Sequence, residues 1–157
     1  NKNYKIIPKY AFQNLKMRLL VLTSNQIEEI SEGGFDRILG LIELNLNFNK
    51  IKNLRNLINS FRGLNNSELN GFIKLSFSNN EITDLDFVFP LTLRFLIYLS
   101  LSNNKIISIT SNVFDQLISL ETLYLTNNPI IYFGSDSFSR LSNLVELRVD
   151  KNKELKI

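Results

Sequence analysis

The chain has 157 residues, 44% of them hydrophobic and 21% charged, with a formal net charge of +3 and neither cysteine nor histidine. That length accommodates one domain with a substantial core, and the missing residue types exclude disulfides, thiolate metal sites and an imidazole proton shuttle. The charges are scattered, and no apolar run approaches the roughly 20 residues of a membrane helix, so little supports a nucleic acid or a lipid bilayer as partner.

In chain order, "YKIIPKYAFQNLK" near the start reads as the back half of a repeat whose front is missing. Leucine runs that close on an asparagine then follow. "MRLLVLTSNQI" ends its run at Asn25, "LIELNLNFNKI" at Asn49 and "FIKLSFSNNEI" at Asn80. "LIYLSLSNNKI" ends at Asn104, "LETLYLTNNPI" at Asn128 and "LVELRVDKNKEL" at Asn152. The intervals are 24, 31, 24, 24 and 24 residues, and Met17, Leu20, Leu22 and Ile27 match Leu96, Leu99, Leu101 and Ile106 position for position.

Leu99 and Leu101, two apart in an extended segment, fall on one face, and Tyr98, Ser100 and Ser102 fall on the other. Repetition every 24 residues, with the rest of each repeat returning the chain to its start, stacks short strands into a parallel sheet.

The pattern LxxLxLxxNxL, six times in register, resembles the leucine-rich repeat family, and the resemblance covers nearly the whole chain. It implies an α/β-type repeat solenoid, a horseshoe with a parallel sheet on its concave face and irregular or short helical convex segments. Residues 1–157 then form a single domain, with a partial repeat over 1–16 and repeats starting near 17, 41, 72, 96, 120 and 144. Asn1 falls inside a repeat and Ile157 shortly after an asparagine, as expected of a piece of a longer array.

The asparagines answer a backbone problem. After each strand the chain turns, leaving interior N–H and C=O groups with no strand to pair with, and an amide side chain supplies both a donor and an acceptor. Stacked Asn25, Asn49, Asn80, Asn104, Asn128 and Asn152 are expected to bond the turn backbone of their own and adjacent repeats, as in the family's asparagine ladder. The preceding Asn79, Asn103 and Asn127 are expected to face solvent. On the return segments Phe35, Phe114 and Phe138 share one repeat position, each followed three residues later by Ile38, Leu117 or Leu141, and Phe12 with Leu15 extends the series. This resembles the stacked phenylalanine row of the typical 24-residue class.

Two repeats are irregular. The 31-residue one contains "NSFRGLNNSELNG", which reads as a loop and holds the sequon Asn65-Asn66-Ser67, a candidate glycosylation site in a secreted protein. The other, "DLDFVFPLTLRF", keeps the period but shifts its aromatic residues around Pro90.

No catalytic residue, cofactor or metal site is expected. Glu146 and Asp150, four residues apart in a strand, stand about 13 Å apart, beyond the roughly 5–9.5 Å of a glycosidase pair. Asp84 and Asp86 lack the further oxygen ligands of a calcium loop.

Function therefore falls to the exposed sheet face. Its first strand offers apolar Leu19 and Val21, its middle is small and polar, and its last strands gather Tyr98, Tyr124, Glu146, Arg148 and Asp150. Tyrosine and arginine are enriched at interface hot spots, so these five are the candidate binding residues for a protein or other macromolecular ligand. Six strands project only about 400 Å², against about 800 Å² per partner in a stable interface. The repeat class is similar to Toll-like receptor ectodomains and their extracellular relatives, which implies a cell-surface or secreted recognition module of innate immune type. The alternative is a cytoplasmic scaffold or adaptor, and a solenoid of this kind could also form a dimer through its sides.

Overall fold

The structure, a computed structural model, describes residues 5–61 and 73–150. Six three-residue strands form one parallel sheet: β2 (Leu19–Val21), β4 (Glu43–Asn45), β5 (Lys74–Ser76), β6 (Tyr98–Ser100), β8 (Thr122–Tyr124) and β10 (Glu146–Arg148). They lie side by side in sequence order and in strict register, so that Leu44, Leu75, Leu99 and Leu123 form one line across the sheet. That line is buried together with Leu46, Phe77, Leu101 and Leu125. Each fully buried leucine contributes about 1.5–3 kcal/mol, and stacking shares this core between adjacent repeats.

Past each turn the chain pairs again in places. β1 (Ile6–Ile7) joins β3 (Glu29–Ile30), and β7 (Ser108–Ile109) joins β9 (Tyr132–Phe133), in two small parallel sheets. The result is the expected leucine-rich repeat horseshoe with little helix.

The return segments carry stacked rings. Phe12 and Phe35 lie 5.5 Å apart and Phe35 and Phe61 6.3 Å apart. Phe89 and Phe114 are 6.0 Å apart and Phe114 and Phe138 5.9 Å. Phe61 and Phe89 thus take places in a row that the sequence period alone does not assign to them. The segment expected to be loop from Asn59 onward needs correction at its start: helix α1 (Arg55–Ser60) takes in its first two residues. Leu54, Leu57, Ile58 and Phe61 are all buried, the i, i+3, i+4, i+7 stripe of a helix packed on a core. Asn53 Oδ1 accepts the Arg55 N–H at 2.7 Å and so tethers the helix entry. In the second irregular repeat Pro90 precedes a short 3-10 turn, Leu91–Leu93, that buries Leu93. Leu15, expected beside the buried Ile38, Leu117 and Leu141, is instead exposed.

Asn49, Asn80, Asn104 and Asn128 are buried. For Asn104, Oδ1 accepts the Ile82 N–H at 3.0 Å. Its Nδ2 donates to Phe77 O at 3.0 Å and Leu101 O at 2.9 Å, one carbonyl in the preceding repeat and one in its own. Asn49, Asn80 and Asn128 repeat this arrangement. Asn25 departs from it: it is exposed, and among the described residues its side-chain amide donates to Thr23 O alone, at 2.9 Å. Asn152 lies outside them.

The neighbouring column has a different reason. Ser24, Phe48, Asn79, Asn103 and Asn127 have φ of 59°, 56°, 58°, 56° and 55°, the left-handed region. Asparagine tolerates it better than most residues. Asn103 and Asn127 are exposed as expected, and Asn79 is half-buried. What selects the residue here is the turn's backbone rather than contact with solvent.

Candidate binding face

The register places Leu19, Glu43, Lys74, Tyr98, Thr122 and Glu146 in one column of the concave face, and Val21, Asn45, Ser76, Ser100, Tyr124 and Arg148 in the next. Spacing alone therefore brings the candidate residues onto one surface, and the side chains show which of them meet.

Glu146 is the hub. Its Oε1 accepts from Arg148 Nε at 2.6 Å and Nη2 at 2.5 Å, and its Oε2 accepts from the Tyr124 hydroxyl at 2.9 Å. The Arg148 guanidinium also lies over the Tyr124 ring, 4.7 Å from its centroid, where the ring quadrupole attracts a cation. Tyr98 meets Tyr124 edge to face at 5.5 Å, a favoured aromatic geometry. Each side chain is thereby held by at least one other before any partner arrives.

Titration follows from these contacts. The Tyr124 phenol is raised above its ordinary value because its proton is donated to Glu146, with burial adding to the effect. The Glu146 carboxyl is lowered by the hydrogen bonds from Tyr124 and then Arg148. Arg148 is raised by its hydrogen bonds to Glu146.

Asp150, the fifth candidate, does not join the cluster. Its carboxylate accepts the backbone N–H of Asn127, a role that the backbone carbonyl of Thr126 fills for Asn103. It therefore belongs to the turn. Asn65 lies outside the described residues.

The polar middle of the face is bonded to itself. Asn47 Oδ1 accepts from Ser76 Oγ and from the Ser78 N–H, both at 2.7 Å. Ser78 and Ser100 share a hydroxyl bond of 2.6 Å, and Thr126 Oγ1 donates to Ser102 Oγ at 2.9 Å. Ser100 and Ser102 are buried. The expectation of small polar groups open to a partner thus becomes a smooth floor whose hydroxyls already have partners. The serines and their register were visible in the sequence; which hydroxyls meet across the strands depends on side-chain geometry.

Elsewhere the two turn carboxylates have partners of their own. Asp86 pairs with Arg55 at 2.6 Å, and Asp84 accepts from Thr83 Oγ1 at 2.9 Å. Among the described residues no group of three or more acidic side chains could hold a metal ion, and no helix is long and apolar enough to cross a membrane. An apolar hollow of about 740 Å³ is lined by Phe133, Phe138, Leu147 and Val149 among others. Leu147 pairs with Leu123 in the sheet register, so the hollow borders the line of leucines that packs between repeats elsewhere.

Known proteins bear on this architecture. The fold is similar to that of a chain in the structure of the Toll–Spatzle complex of Drosophila, with a TM-score of 0.75 and 22% identity, over 94% of this chain and 18% of that one. An internalin, inlF, from Listeria monocytogenes aligns with a TM-score of 0.48 and 16% identity, over 90% of this chain and 49% of the internalin. The chain thus spans less than half the length of either. No curated protein matches it in sequence. The leucine rich repeat profile matches residues 70–130 and 94–153, together more than half of the chain. The chain belongs to the leucine rich repeat family.

Proposed function

We propose that the chain is a protein-recognition module, part of an extracellular recognition receptor of innate immune type, with its partner seated on the C-terminal end of the concave face. One observation carries the reading: Tyr98, Tyr124, Glu146 and Arg148 form a pre-ordered cluster on a surface that the fold does not otherwise need. Preorganised aromatic and arginine side chains lose little entropy on binding, and these residue types dominate hot spots. Glu146 neutralises Arg148 locally, so the cluster suits a partner offering apolar area and hydrogen-bond acceptors rather than a strongly charged one. The likeness to a Toll chain supports the fold, and the extracellular assignment extends it by analogy.

Two measurements test the reading. The purified chain, immobilised beside a Tyr124→Ser/Arg148→Ser variant, is exposed to the extracellular fluid of its source. A protein retained by the parent and lost by the variant is expected, and one retained equally by both rules out this site. The mass of the tryptic peptide containing Asn65, from native material, is expected to include a glycan. A bare Asn65 without other secretory modification turns the assignment toward a cytoplasmic scaffold.

A further inference from the structure

The second irregular repeat carries an apolar patch on its return segment. Leu93 and Leu96 match the buried Leu117 and Leu120 of the next repeat, which sets Leu91 against Asp115 and Phe95 against Ser119. One repeat further on, the same two positions hold Ser139 and Asn143. Where its siblings are polar, this repeat thus has Leu91, 57% exposed, and Phe95, 40% exposed, with Val88 beside the buried Phe89 at 44%. The repeat is internal: Arg55 of helix α1 holds Asp86 on one side at 2.6 Å, and Phe114 stacks on Phe89 on the other at 6.0 Å.

Val88 and Leu91 line one open hollow of about 390 Å³, together with Thr92 and Gln116. Leu91 also begins the 3-10 turn, and the Arg94 N–H donates to Leu91 O at 3.0 Å. Side chains three apart in such a turn eclipse, so Arg94 stands next to Leu91. Its guanidinium lies over the Phe95 ring, 4.4 Å from the centroid. That contact holds the flat face of the guanidinium, while its N–H groups have no acceptor among the described residues. A guanidinium oriented by a ring, with its edge free, matches a carboxylate through two parallel hydrogen bonds.

We infer that this patch docks a short segment of a protein partner: a leucine or aromatic side chain enters the hollow between Val88 and Leu91, and a neighbouring aspartate or glutamate meets Arg94. Charge complementarity selects that occupant. A purely apolar partner would cover the guanidinium donors without pairing them, which is costly, and a partner's carboxylate removes the cost. The hollow is too open to enclose a small molecule, whose sites bury most of the ligand's surface. A side chain protruding from a larger surface needs no such enclosure. The patch shares no residue with the tyrosine cluster and stands independently of the reading above.

The test uses the whole chain, its Leu91→Asp variant, which takes the residue of the next repeat, and its Arg94→Gln variant. Denaturant midpoints of both are expected to stay at the parent's; a lower midpoint in both shows that the patch serves folding and overturns the inference. A random peptide library displayed on phage is then selected on the parent chain. Peptides pairing a leucine or aromatic residue with an adjacent acidic one are expected, with affinity falling about tenfold or more on either substitution and unchanged by Arg148→Ala. Peptides that respond to Arg148→Ala alone overturn the inference and leave the tyrosine site standing. Peptides sensitive to Leu91→Asp but indifferent to Arg94→Gln overturn the acidic segment as occupant. A dimer in sedimentation that Leu91→Asp dissociates shows a second copy of the chain on the patch and likewise overturns it.

Discussion

Two columns of asparagine run side by side through the turns, and they do opposite things. Asn80, Asn104 and Asn128 are buried and act through their side chains, each amide joining turn backbone from two repeats. Asn79, Asn103 and Asn127, one residue earlier, all hold φ near 55–58° in the main chain. The same residue type recurs twice per turn for different physical reasons: the first column needs its amides to complete the turns, while the second needs tolerance of positive φ, with one amide contact, Asn127 Nδ2 to Asn103 Oδ1 at 2.9 Å, between neighbouring repeats. The difference separates what is fixed by hydrogen bonding from what is fixed by steric tolerance.

Substitution sharpens the contrast, beginning with the strongest case. Asn104→Leu removes partners from Ile82 N and from the carbonyls of Phe77 and Leu101. At about 1–3 kcal/mol per unsatisfied buried group, a loss of about 3 kcal/mol or more is expected in denaturant melts despite the added hydrophobicity. An unchanged midpoint breaks the comparison. Asn103→Val is expected to cost about 1–2 kcal/mol, because a β-branched residue resists the left-handed region, while Asn103→Gly stays within about 1 kcal/mol of the parent. Should valine and glycine behave alike, backbone conformation is not what selects the second column. Asn25→Leu, at an exposed turn where, among the described residues, the side chain bonds to Thr23 O alone, is expected to lose less than about 1 kcal/mol.

The smallest effect concerns the tyrosine cluster. Lowering of the Glu146 carboxyl makes its contribution present above the ordinary carboxylate range near about 4.3 and lost as pH falls through the folded value. Raising of the Tyr124 phenol makes its contribution present below about 10 and lost as pH rises through the folded value. The cluster is therefore expected to hold between mildly acidic and mildly alkaline pH. In Glu146→Gln the phenolate absorbance of Tyr124 should appear at lower pH than in the parent, and coincident titrations would show that the Tyr124–Glu146 hydrogen bond does not control it.

Much of the architecture was legible because the repeat multiplies weak signals. One LxxLxL says little, but six in phase locate the strands, their shared register and the buried asparagines. What escaped was whatever the period does not carry. Phe61 and Phe89 were hidden because each follows an irregular spacing, although Leu54, Leu57, Ile58 and Phe61 display a helical stripe that a search at period 3.6 would find. The left-handed column was read as surface because asparagine suits both solvent and positive φ. At the candidate site, common facing of Tyr98, Tyr124, Glu146 and Arg148 follows from spacing, whereas the Glu146 hub and the diversion of Asp150 into the Asn127 turn depend on side-chain geometry.

The buried asparagines also give the solenoid a direction in time. The N–H groups of Asn25 and Ile27 are satisfied by Asn49, that of Ile51 by Asn80 and that of Ile82 by Asn104, so each of these turns is completed by the repeat that follows it. A chain leaving the ribosome N-terminus first closes each turn one repeat late, after a further 24 residues in most cases and 31 in one. During synthesis the growing tip is always the least finished part of the molecule, and the long repeat is where that unfinished interval lasts longest.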